Sequence, residues 1–337
     1  MNTLCEAPRD FCFDWCRSGN TFDRCTVAEV KSFLLNRKIN RLHEHSRDLE
    51  IVFDDAGAVL RRRSSHFHGY PIRQSFFDKL MRWHQFPLHA LHRMTPKEIL
   101  PLVNGVLRLI GKPVVIYVED DEALTIVSEN YARIADDLLL EIKSPGSLLE
   151  VTRTDHFMRV IGEERAQVEV KPGDFVGIQS SIVNSETGFR ALSVGWQLMR
   201  LVCSNGAVVP LSLQSDKIYH DNSKSIPEQL DVVLERLRRT RSHHREAAQL
   251  LLRAVKAKSP ARADAERALR PIIGFLDTKR LLDPHYADKS AGFYELFNRV
   301  TAAARDKAPG DRLAMEEAAG AWLWQTIDPR WKDGAPQ

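Results

Sequence analysis

The sequence predicts an α+β protein with a mostly antiparallel sheet core, crossing helices and a helical C-terminal region. Between residues 148 and 213, short runs of β-branched and aromatic residues alternate with clusters of turn residues, which is typical of antiparallel strands. After Pro227 the pattern changes, and apolar residues such as Leu230, Val233 and Leu234 recur at helical spacing. Because the strands come before the helices rather than alternating with them, the α+β class is favoured over α/β.

The first 150 residues predict helices and hairpins. Residues 27–47 have the apolar spacing of one helix, and 54–57 form a turn between two short strands. Residues 75–110 are mostly helical, and Thr95 followed by Pro96 is a typical helix start. A hairpin over 114–127 with the acidic turn 119–122 follows, and then a helix that opens at 135.

The sheet core and the helical region complete the prediction. Strands are expected at 151–154, 157–161, 166–170, 175–183, 189–194 and 207–211, with a short helix at 196–202 and a hairpin turn at 184–188. Helices are expected at 228–258, 261–275, 291–307 and 311–325. We divide the chain into an N-terminal segment (1–70), a mixed core that carries the motifs (71–220) and a helical C-terminal region (221–337).

Several different short polar motifs occur in order along the chain. They are Ser128 and Tyr131; Asn184, Ser185, Glu186 and Gly188; Cys203, Asn205 and Gly206; and His220. Together with the segments 75–87 and 297–320, they resemble the phage- and plasmid-like domain of unknown function nine-three-two, a family spread through bacteriophages, plasmids and prophage remnants. The resemblance implies a mobile-element protein and assigns no chemical role to these residues.

Each motif also has a structural interpretation. Residues 184–188 can bind a ligand through backbone amides or form a turn in which Gly188 has a positive φ. Cys203 can act as a nucleophile, but it follows an apolar run at the end of the expected helix, where the helix dipole disfavours a thiolate. Asn205 and Gly206 are typical of a left-handed helix cap.

Composition narrows the class of protein. The chain has 337 residues, 43% of them hydrophobic and 28% charged, as in ordinary globular domains. No apolar run approaches the roughly 20 residues of a membrane-spanning helix. The first ten residues lack the basic and apolar segments of a secretion signal, so we expect a cytoplasmic protein without a membrane partner.

Neither a metal nor another cofactor is predicted. Four cysteines lie near the start of the chain, but their spacing does not match the paired cysteines of common zinc sites. The sequence leaves open whether these four bind a metal; they are Cys5, Cys12, Cys16 and Cys25. No Walker loop, dinucleotide-binding glycine motif, carboxylate metal cluster or nucleophile elbow is recognisable.

The strongest physical indication of function is a basic stretch in the first C-terminal helix. It contains Arg236, Arg238, Arg239, Arg241 and Arg245. Residues 225–280 hold 13 Lys and Arg against 7 Asp and Glu, a local charge of +6, whereas the whole chain carries +3. The rest of the chain therefore carries −3. Such segregation attracts phosphates, although a solvated helix face with ion pairs between neighbouring turns would also produce it.

The sequence therefore predicts a nucleic-acid-binding protein of a phage- or plasmid-type mobile element, with Arg200 extending the basic surface and Trp196 or Tyr219 available for stacking. The sequence does not distinguish DNA from RNA as the partner, or single-strand binding from annealing in replication or recombination. It also leaves open whether the chain forms a homo-oligomer. The alternatives are an enzyme acting on nucleotides or nucleic acid and a structural or assembly protein. The candidate residues of such an enzyme are Ser128, Tyr131, Asn184, Glu186 and His220.

Overall fold

The computed structural model describes residues 15–55, 57–64, 69–86, 91, 94–141, 148–200, 205–210, 217–218, 220, 225–288 and 291–327. Within its strands and helices, side chains are described except at 148–149, 163–165, 200, 205–210, 217–218, 236–244, 272 and 275–276.

The described residues form strands and helices in the following order. The strands are β1 (Phe22–Cys25), β2 (Ile39–His45), β3 (Leu49–Asp54), β4 (Gly57–Arg62), β5 (Tyr70–Pro71), β6 (Pro113–Glu119), β7 (Glu122–Ser128), β8 (Leu148–Arg153), β9 (Met158–Lys171), β10 (Asp174–Asn184), β11 (Leu192–Arg200), β12 (Asn205–Pro210) and β13 (Lys217–Ile218). The helices are α1 (Val27–Asn36), α2 (Gln74–Trp83), α3 (Pro96–Ile110), α4 (Asp136–Glu141), α5 (Ile226–Lys256), α6 (Arg262–Ile273), α7 (Phe275–Ala287), α8 (Phe293–Ala304) and α9 (Pro309–Ile327).

Three antiparallel sheets organise these strands. The large sheet has the order β1-β8-β9-β10-β11-β12, and β13 also pairs with β11. Two three-stranded sheets have the orders β2-β6-β7 and β3-β4-β5. Helices α5 to α9 follow the last strand, so the predicted α+β class is confirmed.

Local sequence determines where several elements begin and turn. Thr26 caps α1 and Thr95 caps α3 through capping boxes, each with a glutamate three residues later. Ser225 caps α5 in the same way. Asp120 and Asp121 both have positive φ, of 48° and 65°, as a two-residue hairpin turn between β6 and β7 requires.

Helix α5 runs along one face of the large sheet. Ile178 and Ile182 of β10 share that face, because alternate residues of a strand point the same way. Val233, early in α5, packs in the cluster that contains Ile182. Leu250, late in α5, packs in the cluster that contains Ile178 and also includes residues of α6 to α9. The helical region is thus fixed to the sheet core by apolar burial.

Most predicted elements are confirmed, including strand 175–183, hairpin 114–127 and the helix at 228–258. The expected helix at 27–47 is wrong beyond Asn36. Arg37 has extended backbone angles, and the following residues form β2, which pairs with β6 along seven positions. Helix α7 was not predicted; it follows Gly274, whose φ is +79°.

The region after the central turn also differs from the prediction. Residues 196–200 belong to β11, which is paired with β10 on one side and β12 on the other, so the expected helix there is wrong. Asn205 and Gly206 lie in β12 opposite Arg200 and Met199 and do not cap a helix. Two ladders of backbone hydrogen bonds override the amphipathic spacing that favoured a helix.

Candidate functional site

The motif from Asn184 to Gly188 begins the connection between β10 and β11. Val183 pairs with Ser193 across this connection, so the predicted hairpin turn is confirmed. Gly188 has φ +80°, as expected. The Ser185 hydroxyl oxygen accepts a hydrogen bond from the backbone N–H of Phe189 at 2.9 Å. Residues 184–187 are at most 4% exposed, so this is a buried turn rather than an open ligand loop.

Glu186 is surrounded by three guanidinium groups. Its carboxylate accepts hydrogen bonds from Nη2 of Arg37 at 3.0 Å, of Arg133 at 2.7 Å and of Arg153 at 3.1 Å. The backbone N–H of Asp136 donates to the same carboxylate at 3.3 Å. Burial disfavours the charged form, but these arginines hold the pKa of Glu186 far below its usual range.

A second group of charges continues from this carboxylate. Arg73 donates to Glu122 at 2.7 Å and to Asp155 at 3.4 Å, and it also pairs with Glu119. Glu119 in turn accepts from Arg37 at 3.3 Å. We call the whole set the buried ion cluster: Arg37, Arg73, Glu119, Glu122, Arg133, Asp136, Arg153, Asp155 and Glu186.

The buried ion cluster contains five carboxylates and four guanidiniums. Burial, and then the charge of Glu186, raises the pKa of Asp136 to about 7, although Arg153 donates to it at 3.0 Å. Burial also raises the pKa of Asp155. With a proton on Asp136, the four remaining carboxylates balance the four guanidiniums, in agreement with the raised pKa values of Asp136 and Asp155.

The geometry of this cluster is suited to holding strands together. Its members come from the end of β6, the end of β8 and the residues just after it, the start of β7, the start of α4, the connection between β10 and β11, and the segments that flank α1, α2 and α4. Glu119 and Asp136 are at most 1% exposed. Asn184 joins the cluster, because its side-chain N–H donates to Asp136 at 3.3 Å. Asn184 and Glu186, both candidate residues of the enzyme alternative, therefore lie in an enclosed ion-pair network.

The other side of the turn meets Lys79, Tyr131 and His220. The Tyr131 hydroxyl donates to the backbone oxygen of Ser185 at 2.7 Å, and its ring stacks on His220 with centroids 4.9 Å apart. Lys79 donates to the backbone oxygen of Gly188. The sequence resemblance selected Tyr131 and His220, and the structure places both beside the motif turn.

Burial determines the ionisation of these side chains. It raises the pKa of Tyr131 well above its usual value and lowers that of His220 to about 4, so both are neutral at pH 7. The neutral His220 ring lies with Nδ1 3.0 Å from the backbone oxygen of Ala132, which assigns the ring proton to Nδ1. Burial, and then the charge of Arg82, lowers the pKa of Lys79 to about 8.

The remaining predicted site residues are distributed over several elements. Ser128 ends β7, and its backbone oxygen accepts from Tyr131 N–H at 3.0 Å. Trp196 is 2% exposed in the core, so it is not available for stacking on a base. Cys203 and Tyr219 lie outside the described residues, as do the side chains of Arg200 and Asn205. Of the early cysteines, Cys16 and Cys25 are described; Cys16 is buried and Cys25 is half-buried.

The basic stretch lies within α5, a helix of 31 residues. Its backbone is described throughout, and the side chains of Arg236, Arg238, Arg239 and Arg241 fall outside the described part. Arg245 is described and exposed. The structure thus confirms the helix that carries the stretch and shows one of its five arginines at the surface.

Most of the buried ion cluster was not recognised from the sequence. Arg37 is 82 residues from Glu119 and 149 from Glu186, and no local pattern marks such pairs. No family model, curated protein sequence or solved structure matches this chain. Within the part of the chain that is described, no helix is long and apolar enough to cross a membrane, and no cluster of three or more His, Cys, Asp or Glu could hold a metal ion.

Proposed function

We propose that this chain binds nucleic acid through the basic stretch Arg236–Arg245 of helix α5, as a protein of a phage- or plasmid-type mobile element. The observation that carries the proposal is the charge of +6 over residues 225–280 in a chain of net charge +3. A local excess of Lys and Arg concentrates phosphates by electrostatic attraction, and phosphate contacts supply most of the sequence-independent affinity for nucleic acids.

The fold supports this proposal by presenting the stretch on a long helix. A helix of 31 residues is about 46 Å long, which is comparable to more than one turn of duplex DNA. Its apolar residues pack on the large sheet, so the helix is anchored without using its charged residues. The rigidity of this support lowers the entropic cost of aligning several cations with a phosphate chain.

Further cations lie exposed near the end of α5 and on the next helix. Beyond the basic stretch, Arg253 and Lys256 are exposed, and no described carboxylate forms an ion pair with either of them. On α6, Arg267 and Arg270, together with Glu266, line a shallow depression of about 600 Å³. The exposed cations of α5 favour phosphate binding, because an arginine already paired with a carboxylate must first break that pair, as Arg267 would have to do with Asp264.

A salt titration with variants of α5 tests the proposal. Changing Arg238, Arg239 and Arg241 together to Ala should weaken binding to fluorescent oligonucleotides. It should also lower the salt slope by about 0.9 per lost contact to duplex, or about 0.7 for single strands. The matched control changes Lys31, Lys97 and Arg108 to Ala, because these exposed residues of α1 and α3 carry the same total charge.

The comparison separates specific contact from net charge. We expect tight binding at about 50 mM salt by the wild-type chain and by the control, and weak binding by the α5 variant. Tighter binding to unstructured oligonucleotides than to duplex would indicate a single-strand preference. The proposal is overturned if the wild type forms no complex with DNA or RNA, or if the two triple variants lose affinity equally.

A further inference from the structure

Two cations on one face of α2 have no carboxylate partner among the described residues. Lys79 and Arg82 are three positions apart, so they are neighbours on the helix surface. Lys79 is half-buried and donates to a backbone oxygen, that of Gly188. The charge of Arg82 opposes that of Lys79 and contributes to the lowered pKa of its amine.

This arrangement differs from that of the other buried cations. Arg73, Arg153 and Arg159 each form ion pairs with carboxylates. A partly buried ammonium beside a second cation is electrostatically unfavourable, because it loses solvation and is repelled by its neighbour. A bound anion would remove both costs, since it would neutralise Lys79 and Arg82 together.

Phe189 supports both cations in one place. Its ring centroid is 5.4 Å from Nζ of Lys79 and 4.9 Å from Cζ of Arg82, within the range of cation–π contacts. The ring of His156 packs edge-on against that of Phe189, with the ring centroids 4.4 Å apart. Nε2 of His156 is hydrogen-bonded to Oδ2 of Asp78 at 2.9 Å, so the ring that packs against Phe189 is itself held in place.

Gly188 keeps this corner open. A Cβ atom at position 188 would lie 3.0 Å from Nζ of Lys79 and 3.3 Å from Cε2 of Tyr131. A side chain there would therefore occupy the space next to the ammonium group. Of the three N–H donors on Lys79, one is used by the Gly188 backbone oxygen, which leaves two for a ligand.

We propose that Lys79 and Arg82 form a binding site for the phosphate group of a nucleotide or of a nucleic-acid backbone, positioned by Phe189 and by the turn at Gly188. Phosphate fits because it accepts several charge-assisted hydrogen bonds at once from an ammonium and a guanidinium. With a pKa of about 8, Lys79 is still mainly protonated at pH 7 and so retains its positive charge. The site is separate from the basic stretch of α5 and does not rest on it.

Calorimetric titration of the full chain tests this site with four probes: inorganic phosphate, adenosine 5′-monophosphate, adenosine and a short thymidine oligonucleotide. The variants are Lys79→Gln, Arg82→Gln and the control Lys112→Gln. Lys112 also makes a cation–π contact, with Trp83 at 5.3 Å, so the control removes the same charge and kind of contact at a different place. The oligonucleotide is titrated into proteins that also carry the three α5 alanines, so that binding at α5 does not hide the site.

We expect saturable binding of a phosphate-bearing probe and none of adenosine. Lys79→Gln and Arg82→Gln should each weaken the affinity for that probe by about tenfold or more, and Lys112→Gln should leave the affinity unchanged. Binding of the mononucleotide identifies a free nucleotide as the ligand, and binding of the oligonucleotide alone identifies a nucleic-acid backbone.

Arg82 is exposed, so its variant is expected to fold even if Lys79→Gln does not. The proposal is overturned if the wild type binds no phosphate-bearing probe, or if Lys112→Gln weakens binding as much as Arg82→Gln.

Discussion

At the scale of single residues, the motif turn is determined by one carboxylate and one glycine. Glu186 accepts hydrogen bonds from three arginines that come from distant parts of the chain. Gly188 adopts a positive φ and brings its backbone oxygen to Lys79. The two residues thus face different surroundings, one the enclosed ion cluster and the other a partly open corner.

Changing Gly188 to Val should destabilise the fold by about 1 kcal/mol or more, because φ +80° is strained for a β-branched residue. Its Cβ would also lie 3.0 Å from Nζ of Lys79. Urea unfolding followed by tryptophan fluorescence measures the loss.

Gly173 provides the matched control for that change. Its φ is +77°, and no heavy atom of the described residues lies within 4 Å of an added Cβ. Gly173→Val therefore introduces the same backbone strain without the contact to Lys79. We expect Gly188→Val to be the more destabilising of the two. Equal losses would show that the corner around Lys79 has room for a side chain.

At the scale of elements, a buried ion pair joins α9 to the large sheet. Arg159 of β9 donates to Glu316 of α9 at 2.6 Å and also to the side chain of Gln197 of β11. The side chains of Arg159 and Glu316 are 5% and 3% exposed. One residue later, Glu317 pairs with Arg190 near the surface, where the side chains are 36% and 30% exposed.

Glu316→Gln should cost about 3–5 kcal/mol of unfolding free energy, because it leaves the buried charge of Arg159 without a counterion. Glu317→Gln should cost at most about 1 kcal/mol, because water screens an exposed pair. The two variants remove the same charge from neighbouring positions of one helix. Chemical denaturation measures both, and similar losses would contradict the structural role assigned to Arg159.

The elements could be predicted from sequence where local signals agree with tertiary packing. Thr95 with Pro96 predicts the start of α3, and the run 175–183 predicts β10, because capping and alternation are encoded within a few residues. Residues 196–200 were predicted to be helical, yet they belong to strand β11, because apolar spacing alone does not separate a short helix from a strand.

The candidate site was only partly predictable. The resemblance selected Glu186, Tyr131 and His220, and the structure brings Tyr131 and His220 together beside the turn. The resemblance extends over the segment 75–87, which contains Lys79, but it did not single out Lys79 or Arg153 as site residues. Their surroundings arise from contacts across sheets, and a lone Lys or Arg in a helix or strand has no local pattern that distinguishes it from a surface residue.

At the scale of the whole molecule, the buried ion cluster connects all three sheets. Arg73 follows β5 of the sheet β3-β4-β5, Glu119 ends β6 of a second sheet, and Arg153 ends β8 of the large sheet. Protonation of this cluster is therefore linked to global unfolding. Because Asp136 has a raised pKa, the folded state holds its proton at a pH where the unfolded state has released it.

The sign of the pH dependence follows from this difference. The stabilising contribution of Asp136 is fully present below its ordinary pKa of 3.8 and is lost as pH rises through about 7. Glu186 acts in the opposite direction: its lowered pKa gives a contribution that is present above the ordinary value of 4.5 and is lost only in acid. Between pH 5 and 8, the change in the contribution of Asp136 therefore exceeds that of Glu186.

Asp136→Asn should remove this dependence, because an amide of the same shape cannot ionise. We expect the unfolding free energy of the wild type to fall from pH 5 to pH 8 by on the order of 2 kcal/mol more than that of the variant. The control Asp137→Asn changes the adjacent residue of α4, which lies outside the cluster, and should keep the wild-type profile. Urea unfolding at each pH gives the three profiles. If the Asp136→Asn profile runs parallel to the wild-type profile, Asp136 does not titrate in this range, and the excess carboxylate of the cluster must be balanced at another residue.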